Sequence, residues 1–309
     1  MTSRNFRIKL LLPILLIILS VLLTGCLDGL AEIIKPPTVT LDKIPAYSGK
    51  PYVSVNDGAP FFDEEDYTTE AYESYSALDS LGRCGVTMAC IGVEIMPTED
   101  RGEINSVTPT GWQNKNYGAE LVEGGWLYNR AHLIGHQLTG ENANERNLIT
   151  GTRYMNTRGM LPFENMVADY VRETENHVIY RVTPFFDGYN LLASGVLMEA
   201  YSVEDEGDGI CFCVYVYNVQ PGIYLDYTDG SNRIATESDE IGGSTGTPPE
   251  DMGDTGTEVT EATYIINTKT KKYHKPSCHY ANSKNTEEFT GEKSELESEG
   301  YSACGSCKP

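Results

Sequence analysis

The sequence predicts an α+β fold, an antiparallel sheet with flanking helices, followed by a small C-terminal Cys/His module. Three observations carry this. Three strand-like stretches follow one another, His177–Val182, Asn190–Val203 (with a bulge expected at Gly195) and Ile210–Val219. Asp187-Gly188 and Gly207-Asp208-Gly209 lie between them, and such pairs supply hairpin turns. In the last stretch Cys211, Cys213, Tyr215 and Tyr217 alternate with Phe212, Val214, Val216 and Asn218. Both sets are largely apolar, so this strand is expected to be central and covered on both faces. Ahead of the strands, Phe163, Met166, Val167, Tyr170 and Val171 recur at three- and four-residue steps, the period of a helix, and Pro162 fits its first turn.

The remaining elements follow in chain order. Leu27 to Gly49, with Pro36-Pro37 and Pro45, reads as a tether. Tyr52, Val53 and Val55 predict a strand running into the Asn56-Asp57-Gly58 turn. Ala71, Tyr75, Leu78 and Leu81 place apolar side chains on one side of a helix over Tyr67–Leu81. Val86, Met88, Ile91 and Val93 give a loop and strand. Residues 50–233 form the main domain on this reading. Residues 234–262 are rich in Gly, Thr, Ser and acids and read as a linker, and residues 263–309 close the chain as the small module.

The chain has 309 residues, 40% of them hydrophobic, and a net charge of −22. That charge excludes a protein that holds nucleic acid by a broadly basic surface. The stretch from Asn129 to Arg181 is a local exception: six Arg (130, 146, 153, 158, 172, 181) balance six acids (141, 145, 164, 169, 173, 175). At the N-terminus Arg4, Arg7 and Lys9 precede an apolar run, Leu10–Leu23, that is short for a membrane span and fits a signal peptide over residues 1–25. It ends in Leu23-Thr24-Gly25-Cys26, which resembles a bacterial lipobox, with Cys26 the lipidation site. Several acyl chains on one residue hold a protein on a membrane; an uncleaved N-terminal anchor is the alternative. Either places the domain outside the cytoplasm, on the outer face of the cell membrane, a compartment that suits eight cysteines. Cys211 and Cys213 are expected to point to one face of a strand as buried small hydrophobes.

The densest chemistry lies in Tyr128-Asn129-Arg130-Ala131-His132-Leu133-Ile134-Gly135-His136, followed by Asn147, Asn156 and Glu164. Phosphodiester hydrolysis needs a base for water, neutralisation of charge on phosphorus and stabilisation of the leaving oxygen. His132 has the ring for a base at neutral pH. A divalent ion serves the other two needs, and Mg²⁺ takes oxygen ligands while keeping several waters. Asn156 offers a hard neutral oxygen, Glu164 a carboxylate at the helix start, and Arg130 a planar fork for phosphate. His136 is expected to be structural or to line the substrate site, because a His pair would favour Zn²⁺. Arg153 and Arg158 flank Asn156 and are either a solvated face or a grip on the substrate backbone. His177, at a strand start, is expected to be structural.

The segment resembles the DNA/RNA non-specific endonucleases, the ββα-metal nucleases, most of all the bacterial surface DNA-entry type and the secreted streptococcal DNases. The resemblance runs from Ala77-Leu78-Asp79-Ser80-Leu81-Gly82-Arg83 through Asn129-Arg130-Ala131-His132 to Asn218-Val219-Gln220-Pro221-Gly222, and includes Asn147-Leu148-Ile149-Thr150. It implies a ββα-metal active site with His132 as general base and Asn156 as the one direct protein ligand of Mg²⁺, for which Mn²⁺ is the substitute. It further implies that Asn147 holds the geometry, Glu164 positions a water of the cation's hydration shell, and Arg130 supports the site or the phosphate. Products would carry 5′-phosphates. The chain departs from the usual Asp-Arg-Gly-His at Asn129 and Ala131.

In the tail, His274, Cys278, Cys304 and Cys307 have the spacing of a Cys₃His zinc site, with His279 a spare ligand. A module this short and polar needs a staple, which zinc or a disulfide would provide. The expectation is a membrane-anchored extracellular Mg²⁺-dependent endonuclease acting on DNA or RNA. The alternatives are a nucleic-acid-binding surface lipoprotein that keeps the fold without cleaving and a cell-wall scaffold whose tail does the work.

Overall fold

The computed structural model describes residues 34–239, 262–276, 278, 281, 285–291, 293, 296 and 301–304. The signal peptide, Cys26, most of the linker, His279 and Cys307 lie outside them. Among the described residues no helix is long and apolar enough to cross a membrane.

The fold is α+β. Its main sheet has six strands: β1 (Tyr52–Ser54), β2 (Tyr72–Tyr75), β3 (Thr87–Ile91), β6 (Val178–Phe185), β7 (Gly195–Ser202) and β8 (Cys211–Tyr217). They lie in the order β1-β8-β7-β6-β3-β2, and every pairing is antiparallel. A separate antiparallel pair, β4 (Tyr128–His132) and β5 (Leu148–Thr152), carries the motif. The short helix α1 (His136–Thr139) leaves β4, and the long helix α2 (Leu161–Thr174) follows β5 after a π-helical turn, Met155–Met160. β9 (Ile223–Leu225) and β10 (Asn232–Ile234) form a small ribbon.

α2 forms where the period demanded it. Pro162 sits in its first turn, and Glu175 closes it in the left-handed conformation, its N–H reaching the Val171 carbonyl. Its buried face, with Phe163, Met166, Val167 and Val171, packs on one face of the sheet against Tyr180, Val196, Phe212, Val214 and Val216. The other set on β8 (Cys213, Tyr215, Tyr217) meets Tyr47, Val39, Leu41 and Ile44 on the opposite face, so β8 is covered on both sides as expected. Gly159 is the close-approach point between the π-helical turn and the sheet, because a Cβ there would strike Val216.

Three expectations are corrected. Tyr67–Leu81 is not a helix but contains β2, paired with β3 in the register Tyr72↔Cys90 to Tyr75↔Thr87. Beyond it the Asp79 carboxylate accepts from the N–H groups of Leu81 and Arg83 and from the Arg83 side chain, a local turn that competes with helix. No bulge interrupts the second of the three strands: β7 begins at Gly195 and keeps unbroken register to Ser202, and the glycine is needed because a Cβ would strike the Val216 carbonyl and the Tyr215 ring. Residues 39–47 are not tether. Their apolar side chains cover the sheet, and the Tyr217 hydroxyl donates to the Pro45 carbonyl at 2.6 Å.

The C-terminal module has β11 (Ala262–Asn267), β12 (Lys272–His274), β13 (Thr286–Gly291) and β14 (Ser302–Ala303) in the order β13-β11-β12-β14, with β12 and β14 parallel.

Candidate active site

β4, β5 and α2 place the motif at one end of the helix. Two buried carboxamides hold this unit. Asn147 brackets Ile134, accepting from its N–H at 2.8 Å and donating to its carbonyl at 2.9 Å. Asn218 accepts from the Thr152 N–H and donates to the carbonyls of Thr150 and Ala193, which pins β5 to the main sheet. Each satisfies backbone groups that β-pairing leaves over in a buried setting, where an unpaired group is costly. Gln220 continues the brace, its side-chain oxygen accepting from the Tyr154 N–H at 3.1 Å.

A cavity of about 360 Å³ opens in front of β4 and is lined by Arg101, Asn129, Arg130, His132, His136, Arg153, Asn156 and Glu164, among others. The structure thus brings His132, Asn156, Glu164, Arg130 and Arg153 together. Asn147 and Arg158 are not among the lining residues: Asn147 is buried behind β4, and Arg158 is exposed. Arg101, Arg130 and Arg153 make the cavity a positive spot on a chain of net charge −22.

His132 is buried. Its Nε2 lies 2.8 Å from the Asn142 carbonyl, and its Nδ1 lies 3.2 Å from an Arg101 guanidinium nitrogen. A carbonyl only accepts, so Nε2 carries the proton and Nδ1 turns its lone pair to the Arg101 side. Burial, with the Arg101 charge adding to it against the pull of the Asn142 hydrogen bond, brings the ring pKa down to about 4. The ring is therefore neutral at pH 7. Burial moves Glu164 the other way, up to about 7, opposed by the charge of Arg101 and a hydrogen bond from Gln137. Gly135 makes room for this carboxylate: a Cβ there would stand 2.7 Å from Oε2. The His136 ring is also lowered by burial and Arg101.

Arg130 is held by its surroundings. Its guanidinium stacks 4.3 Å over Trp112, and its Nε donates to the Val107 carbonyl at 2.5 Å. Its Nη1 and Nη2 reach the Asn105 side-chain and backbone oxygens at 3.5 and 3.4 Å, so the group holds the 105–112 loop beside the cavity. Arg153 and Arg158 share one carboxylate, Glu123, each at 3.2 Å. The Asn156 carboxamide is half-buried and makes no hydrogen bond among the described residues. The Asn129 amide nitrogen is buried at the same cavity without a hydrogen-bond partner among the described residues. Ala131 sits in a regular strand, and its methyl fills the space left by Gly151, where a Cβ would come within 2.8 Å of it.

Sequence reasoning missed Arg101 and the Asn142 carbonyl. Arg101 lies in a polar loop 31 residues before His132 with no motif around it, and a backbone carbonyl has no sequence signal at all.

This arrangement can be set beside known proteins. A curated deoxyribonuclease from Streptococcus dysgalactiae subsp. equisimilis is 31% identical over 142 residues, 43% of this chain and 42% of that protein. The match thus spans less than half the length of that relative. Among solved structures, NucA from Streptococcus agalactiae with magnesium ion bound shares the fold at a TM-score of 0.55 and 23% identity, over 62% of this chain and 91% of NucA. The Sda1 nuclease with bound zinc ion does so at 0.51 and 24%, over 60% and 97%. The family whose description is DNA/RNA non-specific endonuclease matches residues 64–204, a little under half of the chain and the span holding β2 to β7, His132, Asn156 and Glu164.

Proposed function

We propose that the protein is a divalent-metal-dependent, sequence-non-specific endonuclease that hydrolyses DNA phosphodiesters, held on the outer face of a bacterial membrane through Cys26. The observation that carries the catalytic reading is the His132 ring. It is neutral, its proton is committed to the Asn142 carbonyl, and its Nδ1 lone pair adjoins the guanidinium of Arg101 at the cavity that also holds Asn156 and Glu164.

The residues fit a hard cation. A carboxamide without a hydrogen bond and a buried carboxylate line the same cavity, which is an oxygen donor set of the kind Mg²⁺ or Mn²⁺ accepts. A divalent cation held at Asn156, with Glu164 nearby, supplies charge neutralisation on the phosphate and stabilises the leaving oxygen. The chain's own groups do the rest. His132 Nδ1 takes a proton from the attacking water, whose oxygen bonds to phosphorus as the P–O3′ bond breaks. The products are a 5′-phosphate and a 3′-hydroxyl, the latter protonated by solvent. Arg101 faces both the ring and the cavity: at rest it donates to Nδ1 and holds the ring neutral, and on turning to a non-bridging phosphate oxygen it frees the Nδ1 lone pair for the water's proton. The orphaned Asn129 amide is a further donor to phosphate or water. Arg153 and Arg158 bind the adjacent backbone once Glu123 gives way.

The test uses the chain from residue 27 with plasmid DNA and Mg²⁺. His132→Ala is expected to cost roughly 10²–10⁴-fold in rate, and EDTA should stop the wild type. A variant that cuts near the wild-type rate would remove His132 as the base; activity in EDTA would remove the cation. Retarded DNA that is never cut by the wild type would leave a binding protein.

A further inference from the structure

Among the described residues none of the C-terminal module lines the cavity just described, and the module holds a second cluster of ligating side chains. His274, Cys278 and Cys304 place one donor atom each within 4.8 Å of the others, and all three residues are buried. They come from different places: His274 ends β12, Cys278 follows in a turn closed by its own N–H on the Lys275 carbonyl, and Cys304 directly follows β14. The parallel pairing Lys272↔Ser302 and Tyr273↔Ala303, continued by the Cys304 N–H on the Tyr273 carbonyl, sets Cys304 beside His274.

We propose that these residues form a closed, structural zinc site, independent of the nuclease reading. The argument is geometric. Zinc binds thiolate at about 2.3 Å and imidazole nitrogen at about 2.0–2.1 Å, and at a tetrahedral angle two such ligands stand about 3.6 Å apart. Cys278 Sγ and His274 Nδ1 are 3.6 Å apart. A thiol–imidazole hydrogen bond has this length too; what points to a metal is the third buried donor, Cys304, gathered within 4.8 Å of the other two. Cys307, which the Cys-x-x-Cys spacing offers as a further ligand, lies outside the described residues. On binding, each thiol releases its proton to solvent and the imidazole binds neutral.

Burial of the ligands argues for structure over catalysis, which needs an open coordination position. So does the size of the module's core: Tyr264, Ile266, Tyr273, Leu296 and Tyr301 are its main buried apolar cluster. A domain this small is stabilised by a crosslink or a metal. One ion here would join β12, β14 and the Cys278 turn.

The experiment is zinc content per full-length chain, purified reduced and without chelator, with Co²⁺ substituted in parallel. About one tightly held equivalent is expected, with thiolate-to-cobalt charge transfer and the intense visible bands of tetrahedral coordination. Cys278→Ser and Cys304→Ser should lose it, whereas Asn156→Ala at the other site should keep it. His274→Cys, which exchanges one zinc-ligand type for another, should keep the metal and alter the cobalt spectrum, so a misfolded serine variant does not decide the matter. A reduced wild type without zinc, or a Cys278–Cys304 disulfide in peptide maps of the native protein, would overturn the proposal.

Discussion

The His132 and Glu164 side chains are displaced in opposite directions by the same cause, loss of water around a charge. The consequences for stability are opposite too. The fold keeps His132 neutral, so the unfolded chain binds the extra proton between pH 6.5 and about 4. This contribution is complete above 6.5 and is lost as pH falls through 4. The fold keeps Glu164 protonated up to about 7, so its contribution is present below 4.5 and is lost as pH rises through 7. Within the site the two nearly cancel across their shared window. Glu164→Gln removes one of them. Without divalent ions, its stability relative to wild type is expected to rise by about 3 kcal/mol between pH 4.5 and 7. Denaturant midpoints at the two pH values check this; a constant difference would mean that Glu164 ionises freely in the fold.

At the scale of elements, the parts of the ββα unit are tied by carboxamides as well as by apolar packing, to which Ala131, Leu133, Ile149 and Met155 contribute. Asn147 brackets the chain leaving β4, and Asn218 ties β5 to the sheet. The unusual Ala131 belongs to the same level. An extra methyl in β4 is harmless because β5 has Gly151 beside it. Gly151→Ala is therefore expected to destabilise by about 1–3 kcal/mol through overpacking, and Ala131→Gly in the same chain should restore most of that. Thermal unfolding of the two single variants and the double variant is the check. If the effects simply add, the two methyls do not compete for one space.

For the whole molecule, the charge of −22 and the proposed substrate are reconciled by distribution. Arg101, Arg130 and Arg153 gather at one cavity, and Arg181, which a count along the chain would add to them, is instead buried in a bidentate pair with Glu199. For the proposed nuclease, with this net charge, being held near its substrate would raise the effective concentration, and that is the physical purpose the proposed membrane anchor would serve. Cys26→Ser is expected to move the protein from the membrane fraction to the soluble or secreted one, while the specific activity of the isolated chain is unchanged. Retention of the variant on membranes would point to the apolar run, Leu10–Leu23, as the anchor instead.

The amino-acid sequence by itself determined the α+β class, α2 and the three strands after it, because each depends on a local period, while its resemblance to a known family singled out His132, Asn147, Asn156 and Glu164 as candidates. Tertiary structure decided the rest. It made Tyr67–Leu81 a turn and an edge strand, since β3 needed a partner and Asp79 captured its own neighbours' N–H groups. It drew residues 39–47 onto the open face of β8, because Tyr215 and Tyr217 would otherwise meet water. It also brought Arg101 and the Asn142 carbonyl to the two nitrogens of His132. Which nitrogen keeps the proton is set by those two neighbours, one donor and one acceptor from loops distant in sequence, and no local pattern around the histidine encodes either of them.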